Sequence, residues 1–171
     1  MSNEQLPAET YQEGDFTEPG YYAITICTHD FRWFFGRIID HKMQLNERGE
    51  IAQLVWQSLP TRIPRVRLDE YVFMPNHMHG LIELMEVEAS DPKWRDGVSE
   101  VVRTFKGATT YKIRHMEAKY WFAWQDGCRK SYINTDERLF NARQYIIGNP
   151  AKWREDPMYY KGRPQGRPRN G

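Results

Sequence analysis

The sequence predicts an α+β domain built on a mainly antiparallel sheet. Runs of β-branched and aromatic residues recur along it, and only a few helical patterns separate them. The two do not alternate in the regular way that a parallel sheet of βαβ units requires. At 171 residues the chain suffices for one domain with a proper core and falls short of two.

The elements follow in order. The head up to Gly20 is polar, acidic and without periodicity, so it is expected to be loose. From Tyr21 the stretch YYAITICT reads as a strand. WFFGRIID and HKMQL follow as two shorter strands around a tight connection at Asp40 to Lys42. NERGEIAQLVWQSLP reads as a helix with Asn46 as N-cap, although Gly49 stands where a capping box wants an acid. Its apolar face is expected to be Ile51, Leu54, Val55 and Leu59, with Pro60 after its end. A basic loop, TRIPRVR, leads to LDEYVFM and HMHGLIEL, strand-like runs that Pro75-Asn76 separates by a bulge, kink or turn. EVEASDPKWRDG is a loop. VSEVVRTFKGATTYKIRHMEA is the longest helical pattern, with Val98, Val101, Val102, Phe105 and Ile113 at helical spacing and Gly107 weakening its middle. KYWFAWQDGCRKSYI is aromatic and irregular, a short strand plus loop. NTDERLFNARQYIIGNP closes the core as a helix, with Asn134 and Glu137 in capping-box spacing and Pro150 enforcing a stop.

Composition narrows the class. Hydrophobic content of 40% with 27% charged residues fits a globular protein, and no apolar run approaches the length that crosses a bilayer, so no membrane partner is expected. The N-terminus carries Glu4, Glu9, Glu13, Asp15 and Glu18 with no Lys or Arg, the opposite of a secretory or mitochondrial leader. Cys27 and Cys128 are too far apart for a zinc cluster and too few for a disulfide framework. These features predict a reduced, cytoplasmic protein. Net charge is only +1, but it is unevenly spread. The expected organisation is an acidic head over residues 1–20, one domain over 21–153 and a basic, flexible tail over 154–171, which suits an anionic partner near the C-terminus. The tail sequence GRPQGRPRNG loosely resembles an AT-hook core.

The chemistry starts in MPNHMHG. Residues i and i+2 of a strand share a face, so His77 and His79 present two imidazoles side by side while Met78 points into the core. Two satisfied structural histidines would show the same pattern, and a pair cannot complete a metal site, which takes a third protein ligand. Far along the chain, Tyr145 and Asn149 in RQYIIGNP lie four residues apart, on one face of a helix. An ordinary amphipathic helix would also carry such a pair. Ile146 fits a core face better, which leaves Tyr145 at the boundary, able to reach a cleft.

MPNHMHG on a strand, VVRTFKG opening a basic helix, the pair Trp124-Gln125 and YIIGNPAKW occur together in this order. With the opening strand YYAITICT, the combination resembles the single-tyrosine HUH transposase family, in its REP-associated branch, over roughly Tyr21 to Trp153. The resemblance implies a ferredoxin-like or RRM-like core with the histidine pair on a central strand. It implies Tyr145 as nucleophile, and His77, His79 and Asn149 as ligands of Mg²⁺ or Mn²⁺. Imidazole donors also suit zinc or nickel, so the choice of metal comes from the resemblance alone. The implied activity is a DNA endonuclease and strand transferase. It acts on single-stranded DNA beside a hairpin and passes through a 5′-phosphotyrosine. Both a monomer and a homodimer, the latter with the tyrosine helix of one copy facing the partner's histidines, are open to such a chain.

Candidate DNA contacts are Arg62, Arg65 and Arg67 before the histidine strand, and Arg103, Lys106, Lys112 and Arg114 in the long helix. Arg129 and Lys130 lie beside the aromatic loop, and Trp124 is a candidate for base stacking, although at least two of Trp121, Phe122 and Trp124 are expected in the core. The sequence departs from the family pattern at Ser131, where related sequences often carry a histidine, and in its acidic head. The first alternative is a non-catalytic hairpin-DNA-binding protein on the same fold. A metal-dependent hydrolase of a small molecule, with His115 or Asp69 as third ligand, ranks below it.

Overall fold

The structure is a computed structural model that describes residues 16–88, 90–91, 97–116 and 121–162. The head through Asp15 and the tail from Arg163, with the AT-hook-like motif, lie outside the described residues.

Strands β1 (Gly20–Cys27), β4 (Val66–Met74), β5 (His77–Leu84) and β6 (Arg129–Ile133) form one sheet in the order β4-β5-β1-β6, antiparallel at every step. A separate hairpin pairs β2 (Gly36–Ile39) with β3 (Lys42–Leu45). The helices are α1 (Glu47–Gln57), α2 (Leu59–Arg62), α3 (Val98–Met116), α4 (Asp136–Gly148) and α5 (Pro157–Gly162), and a 3-10 turn over Asn149–Glu155 joins the last two. Along β1, α1, β4, β5, α3 and β6 the chain runs βαββαβ with β5 and β1 central. This is the α+β, ferredoxin-like arrangement expected. Pro75-Asn76 makes the tight turn between β4 and β5, with Met74 paired to His77.

The two faces of the sheet are covered differently. Tyr22, Ile24, Ile26, Met78 and Ile82 pack against Val55 and Trp56 of α1 and Val101, Phe105 and Ile113 of α3, in a large aromatic-rich core. On the opposite face Ala23, Leu81 and Ile133 meet Leu139, Ala142 and Ile146 of α4 in a smaller cluster.

The buried face of α1 differs from the expected one. Leu54 is 64% exposed, whereas Ala52, Val55 and Trp56 are buried. The reason is a gap in β5. A Cβ on Gly80 would overlap the Trp56 ring, so the glycine makes room for the indole, and the helix turns to deliver it there. Trp56 then stands edge-on to Phe105, centroids 5.2 Å apart. Gly80→Ala is expected to cost about 2–3 kcal/mol by overpacking, read as a lowered urea midpoint. An unchanged midpoint would show that the indole has another seat.

Two caps are also informative. Asn46 Oδ1 accepts from the Gly49 N–H at 3.0 Å, as expected of an N-cap. At α4 the cap is Thr135 and not Asn134. Thr135 has extended φ/ψ and its hydroxyl accepts from the Arg138 N–H at 3.2 Å, while Asn134 accepts from the Arg138 guanidinium.

Order extends past both expected domain edges. The Phe16 carbonyl accepts from the Val98 N–H at 2.9 Å, and Thr17 accepts from Arg65 at 2.8 Å. Residues 154–162, expected within a flexible tail, complete the 3-10 turn and form α5. This helix packs on the segment after β1. Lys161 Nζ lies 5.0 Å from the Phe31 ring centroid, Cys27 Sγ lies 3.7 Å from Met158 Sδ, and Gly162 meets the Phe31 carbonyl where a Cβ would overlap it. Among the described residues no helix is long and apolar enough to cross a membrane.

Candidate metal and nucleophile site

Alternation along β5 places His77 and His79 on the face that looks toward α4. Register fixes their neighbours. Thr25 of β1 pairs with His79 and Cys27 pairs with His77, while Arg129 of β6 pairs with Thr25 on the far side. Both imidazoles are buried, and their Nε2 atoms face one another at 3.1 Å.

Hydrogen bonds orient the rings. Asn76 Nδ2 donates to the carbonyls of Phe31 at 3.1 Å and Met158 at 2.9 Å, which fixes the amide. Its Oδ1 therefore accepts from His77 Nδ1 at 2.8 Å, which leaves His77 Nε2 as the unprotonated nitrogen, facing His79. Thr25 Oγ1 sits 2.8 Å from His79 Nδ1. When that hydroxyl accepts, both histidines turn bare Nε2 atoms to one point, the tautomer pair that suits a shared cation. Phe31 holds its carbonyl toward Asn76 from a turn in which Asp30 and Phe31 both have φ of 53°, a strained conformation beside the site.

A carboxylate joins the pair. Asp156 Oδ2 lies 3.6 Å from His77 Nε2, its side chain 8% exposed, and one ligand atom from each of His77, His79 and Asp156 fits within 4.8 Å of the others. Asn149, at the end of α4, is buried, and its Oδ1 has no hydrogen-bond partner among the described residues. Two facing imidazole nitrogens and a buried carboxylate form a mixed N/O set of the kind that can hold a divalent ion. Tyr145, one helical turn before Asn149, is half-buried, and its ring stands edge-on to His79 with centroids 5.3 Å apart. The sequence-expected residues His77, His79 and Tyr145 thus meet, and Asn149 is buried on the same helix.

Burial pushes the His77 pKa well below its ordinary value, with His79 adding to the effect. Burial, then Arg129, lowers His79 to about 3. Both rings are neutral at pH 7 and ready to act as ligands. Burial also raises the Asp156 pKa, against the Met158 N–H and Lys161, which lower it. The histidine shifts carry a sign. In the unfolded chain these groups bind protons below pH about 6.5, and the buried rings resist doing so. Stability is therefore full above that pH and falls on acidification, as the unfolded chain takes up protons that the buried rings refuse. Urea unfolding at pH 7.5 and 5.5 should show this loss, and His79→Gln should reduce it. An equal slope in that variant would refute the assignment.

Asp156 and Asn76 were not singled out from the sequence. The run EDP falls within the expected flexible tail, and only the fold carries its aspartate back to β5. Asn76 is the turn residue itself, and no local pattern shows that its amide links β5 to α5. The alternative third ligands lie elsewhere. His115 Nδ1 sits 2.7 Å from the Tyr111 carbonyl on the exposed end of α3. Asp69 stands at a bulge in β4 and accepts the Arg143 fork, with Nε at 2.9 Å, so that α4 is tied to β4 two residues before Tyr145. The Arg143 contacts hold the Asp69 carboxyl below the usual carboxylate range.

Three expected DNA contacts belong to the fold instead. Arg65 is buried and bonds the Thr17 and Met85 carbonyls. Lys106 donates to the carbonyls of Gln125 and Gly127, pinning that loop, and desolvation lowers its pKa. Trp124 is buried against Phe105 and Phe122, because the 124–127 loop folds back over α3. Trp121, by contrast, is 50% exposed. Lys130 turns to the α3 side and donates to Ser99 Oγ at 2.7 Å. Arg62, Arg67, Arg103, Lys112, Arg114 and Arg129 are exposed, Arg103 in a pair with Glu100. Ser131 pairs with Ala23, one step along the same face from Thr25 and the histidines.

No protein-family model matches the chain. An uncharacterized protein of Haemophilus influenzae is 30% identical to it over 159 residues, which cover 85% of this chain and 88% of that protein. Among solved structures, that of a REP-associated tyrosine transposase bound to a REP hairpin matches with a TM-score of 0.60 at 17% identity, over 85% of this chain and 74% of the other. At that identity the likeness is one of fold.

Proposed function

From a chain that belongs to one family with the uncharacterized Haemophilus influenzae protein and has the fold of the REP-associated tyrosine transposase, we propose a metal-dependent single-stranded DNA endonuclease and strand transferase that cuts beside a hairpin. The observation that carries this reading is the edge contact between Tyr145 and His79, which sets a phenol beside an imidazole whose Nε2 faces that of His77 and, with Asp156, can hold a metal.

His77, His79, Asp156 and Asn149 would hold a Mg²⁺ or Mn²⁺ ion, which when bound withdraws charge from the non-bridging phosphate oxygens. A phenol of pKa about 10 is a poor nucleophile at neutral pH and needs that help. Tyr145 Oη loses its proton to solvent and bonds to phosphorus. The P–O3′ bond breaks, and the leaving oxygen takes up a proton as a free 3′-hydroxyl. The 5′ end stays on Tyr145 as a phosphotyrosine, and re-attack by a 3′-hydroxyl rejoins the strand without outside energy. Helix α4 carries the nucleophile, and the Asp69–Arg143 fork holds it in place. Arg129, exposed on the histidine side of β6, is a phosphate contact at the rim. Arg62, Arg67, Arg103, Lys112 and Arg114 serve the rest of the strand, and Trp121 takes over the stacking role expected of Trp124.

Tyr145 and His79 meet within one chain, which supports a reading in which each copy supplies its own tyrosine. The test is covalent capture. Hairpin oligonucleotides with single-stranded flanks, drawn from the DNA around this chain's own gene, are incubated with Mn²⁺ or with chelator and run on denaturing gels. A metal-dependent protein–DNA adduct supports the reading. Tight binding with no adduct over a broad set of flanks would favour the non-catalytic hairpin-binding protein.

A further inference from the structure

We infer that the cleft between the β2–β3 hairpin and the 3-10 turn of residues 149–155 is a subsite for one unpaired nucleobase of the DNA strand, beside the histidine pair. This rests on the reading of the chain as a DNA-cutting enzyme. The cleft encloses ≈ 530 Å³, and Trp33, Trp153 and Tyr159 border it together with Arg37, His41 and Arg154.

Four observations converge on a base. The three rings form a corner instead of a stack, with centroids 5.4–5.8 Å apart and interplanar angles of 58°, 44° and 88°, so their flat faces are not all spent on one another. Flat aromatic faces beside cations are what an unpaired base requires, because every base has a π-face and a charged backbone. Arg37, His41 and Arg154 on the same border carry donors suited to the carbonyl and ring-nitrogen acceptors of base edges. Asp40 and Glu155 on the same border accept from exocyclic amino groups, which favours a base over a bare anion.

The hairpin tip is the third observation. Asp40 and His41 have φ of 48° and 62°, in the turn where Asn-Gly is the comfortable pair. Both side chains line the cleft, so the strained turn keeps two polar groups there that glycine would lack. The fourth is continuity. Trp153 also packs on His77, centroids 5.9 Å apart, so the aromatic corner abuts the metal and nucleophile site.

The test uses the full chain with chelator, so that no strand is cut. Flanked hairpin oligonucleotides carrying 5-iodouracil at successive unpaired positions are irradiated, and cross-linked peptides are mapped by mass spectrometry. One flank position is expected to cross-link to Trp33, Trp153 or Tyr159. Trp33→Ala is expected to weaken binding of the flanked hairpin about tenfold and leave a flank-free hairpin unaffected. Since Trp33 also packs on its neighbours, His41→Gly, which the positive φ favours, is the second variant, with an expected loss of about threefold. Cross-links confined to other surfaces, or both variants binding flanked DNA as the wild type does, overturn the subsite while leaving the enzyme reading in place. Failure of the wild type to bind any flanked hairpin overturns both.

Discussion

Tyr145→Phe is expected to abolish the covalent protein–DNA adduct, lowering cleavage by about three orders of magnitude or more, to the assay floor, without unfolding the protein. The substitution removes one oxygen. The ring stays edge-on to His79 and keeps its packing beside Ala23, Leu81 and Ile146, so stability should remain within about 1 kcal/mol of wild type. Binding of the hairpin should persist, because the exposed arginines proposed as phosphate contacts are untouched. Denaturing gels, a thermal melt and an anisotropy titration on the same sample separate these quantities. An adduct that survives in Tyr145→Phe would move the nucleophile to another side chain. Mixing this variant with His79→Ala tests whether two chains share a site, and recovered activity would mean that they do.

Removing a histidine of the pair should cancel every effect of the metal. An ion that binds the folded chain and not the unfolded one stabilises it by about 2.7 kcal/mol at a hundred times its Kd, which in a chain of this size raises Tm by roughly 5–10 °C. In His77→Ala or His79→Ala that Mn²⁺-dependent rise should vanish. Asp156→Asn is the finer probe. It can still accept from the Met158 N–H, so α5 should stay seated, but it loses the charge that faces His77. Mn²⁺ affinity should fall at least about tenfold. An unchanged affinity would return the donor set to His77, His79 and Asn149.

The residues that meet at the site were legible in the sequence to different degrees. The histidine pair could be placed because a strand alternates its side chains, and Tyr145 and Asn149 because a helix repeats every turn. Both are local rules. The role of Asp156 depends on a reversal of the chain after Pro150 that no periodicity announces, and the 3-10 turn and α5 lie within a stretch whose charge reads as a solvated tail. The same limit explains Leu54 and Trp124. The face of α1 was set by a missing side chain on a strand 24 residues away, at Gly80, and Trp124 was buried by a loop that Lys106 pins from α3. Arg65 reads as one more cation in a basic loop, but its guanidinium bonds carbonyls on two separate segments.

The seat of α5 decides how far the chain can be shortened from its C-terminal side. Within α5 it is Met158 that holds Asn76. A cut before Pro157 deletes the Met158 carbonyl that holds the Asn76 amide and the Met158 N–H that holds Asp156. A deletion series designed to weigh the basic tail would therefore, once carried into residues 157–162, measure the tautomer of His77 instead of the loss of positive charge.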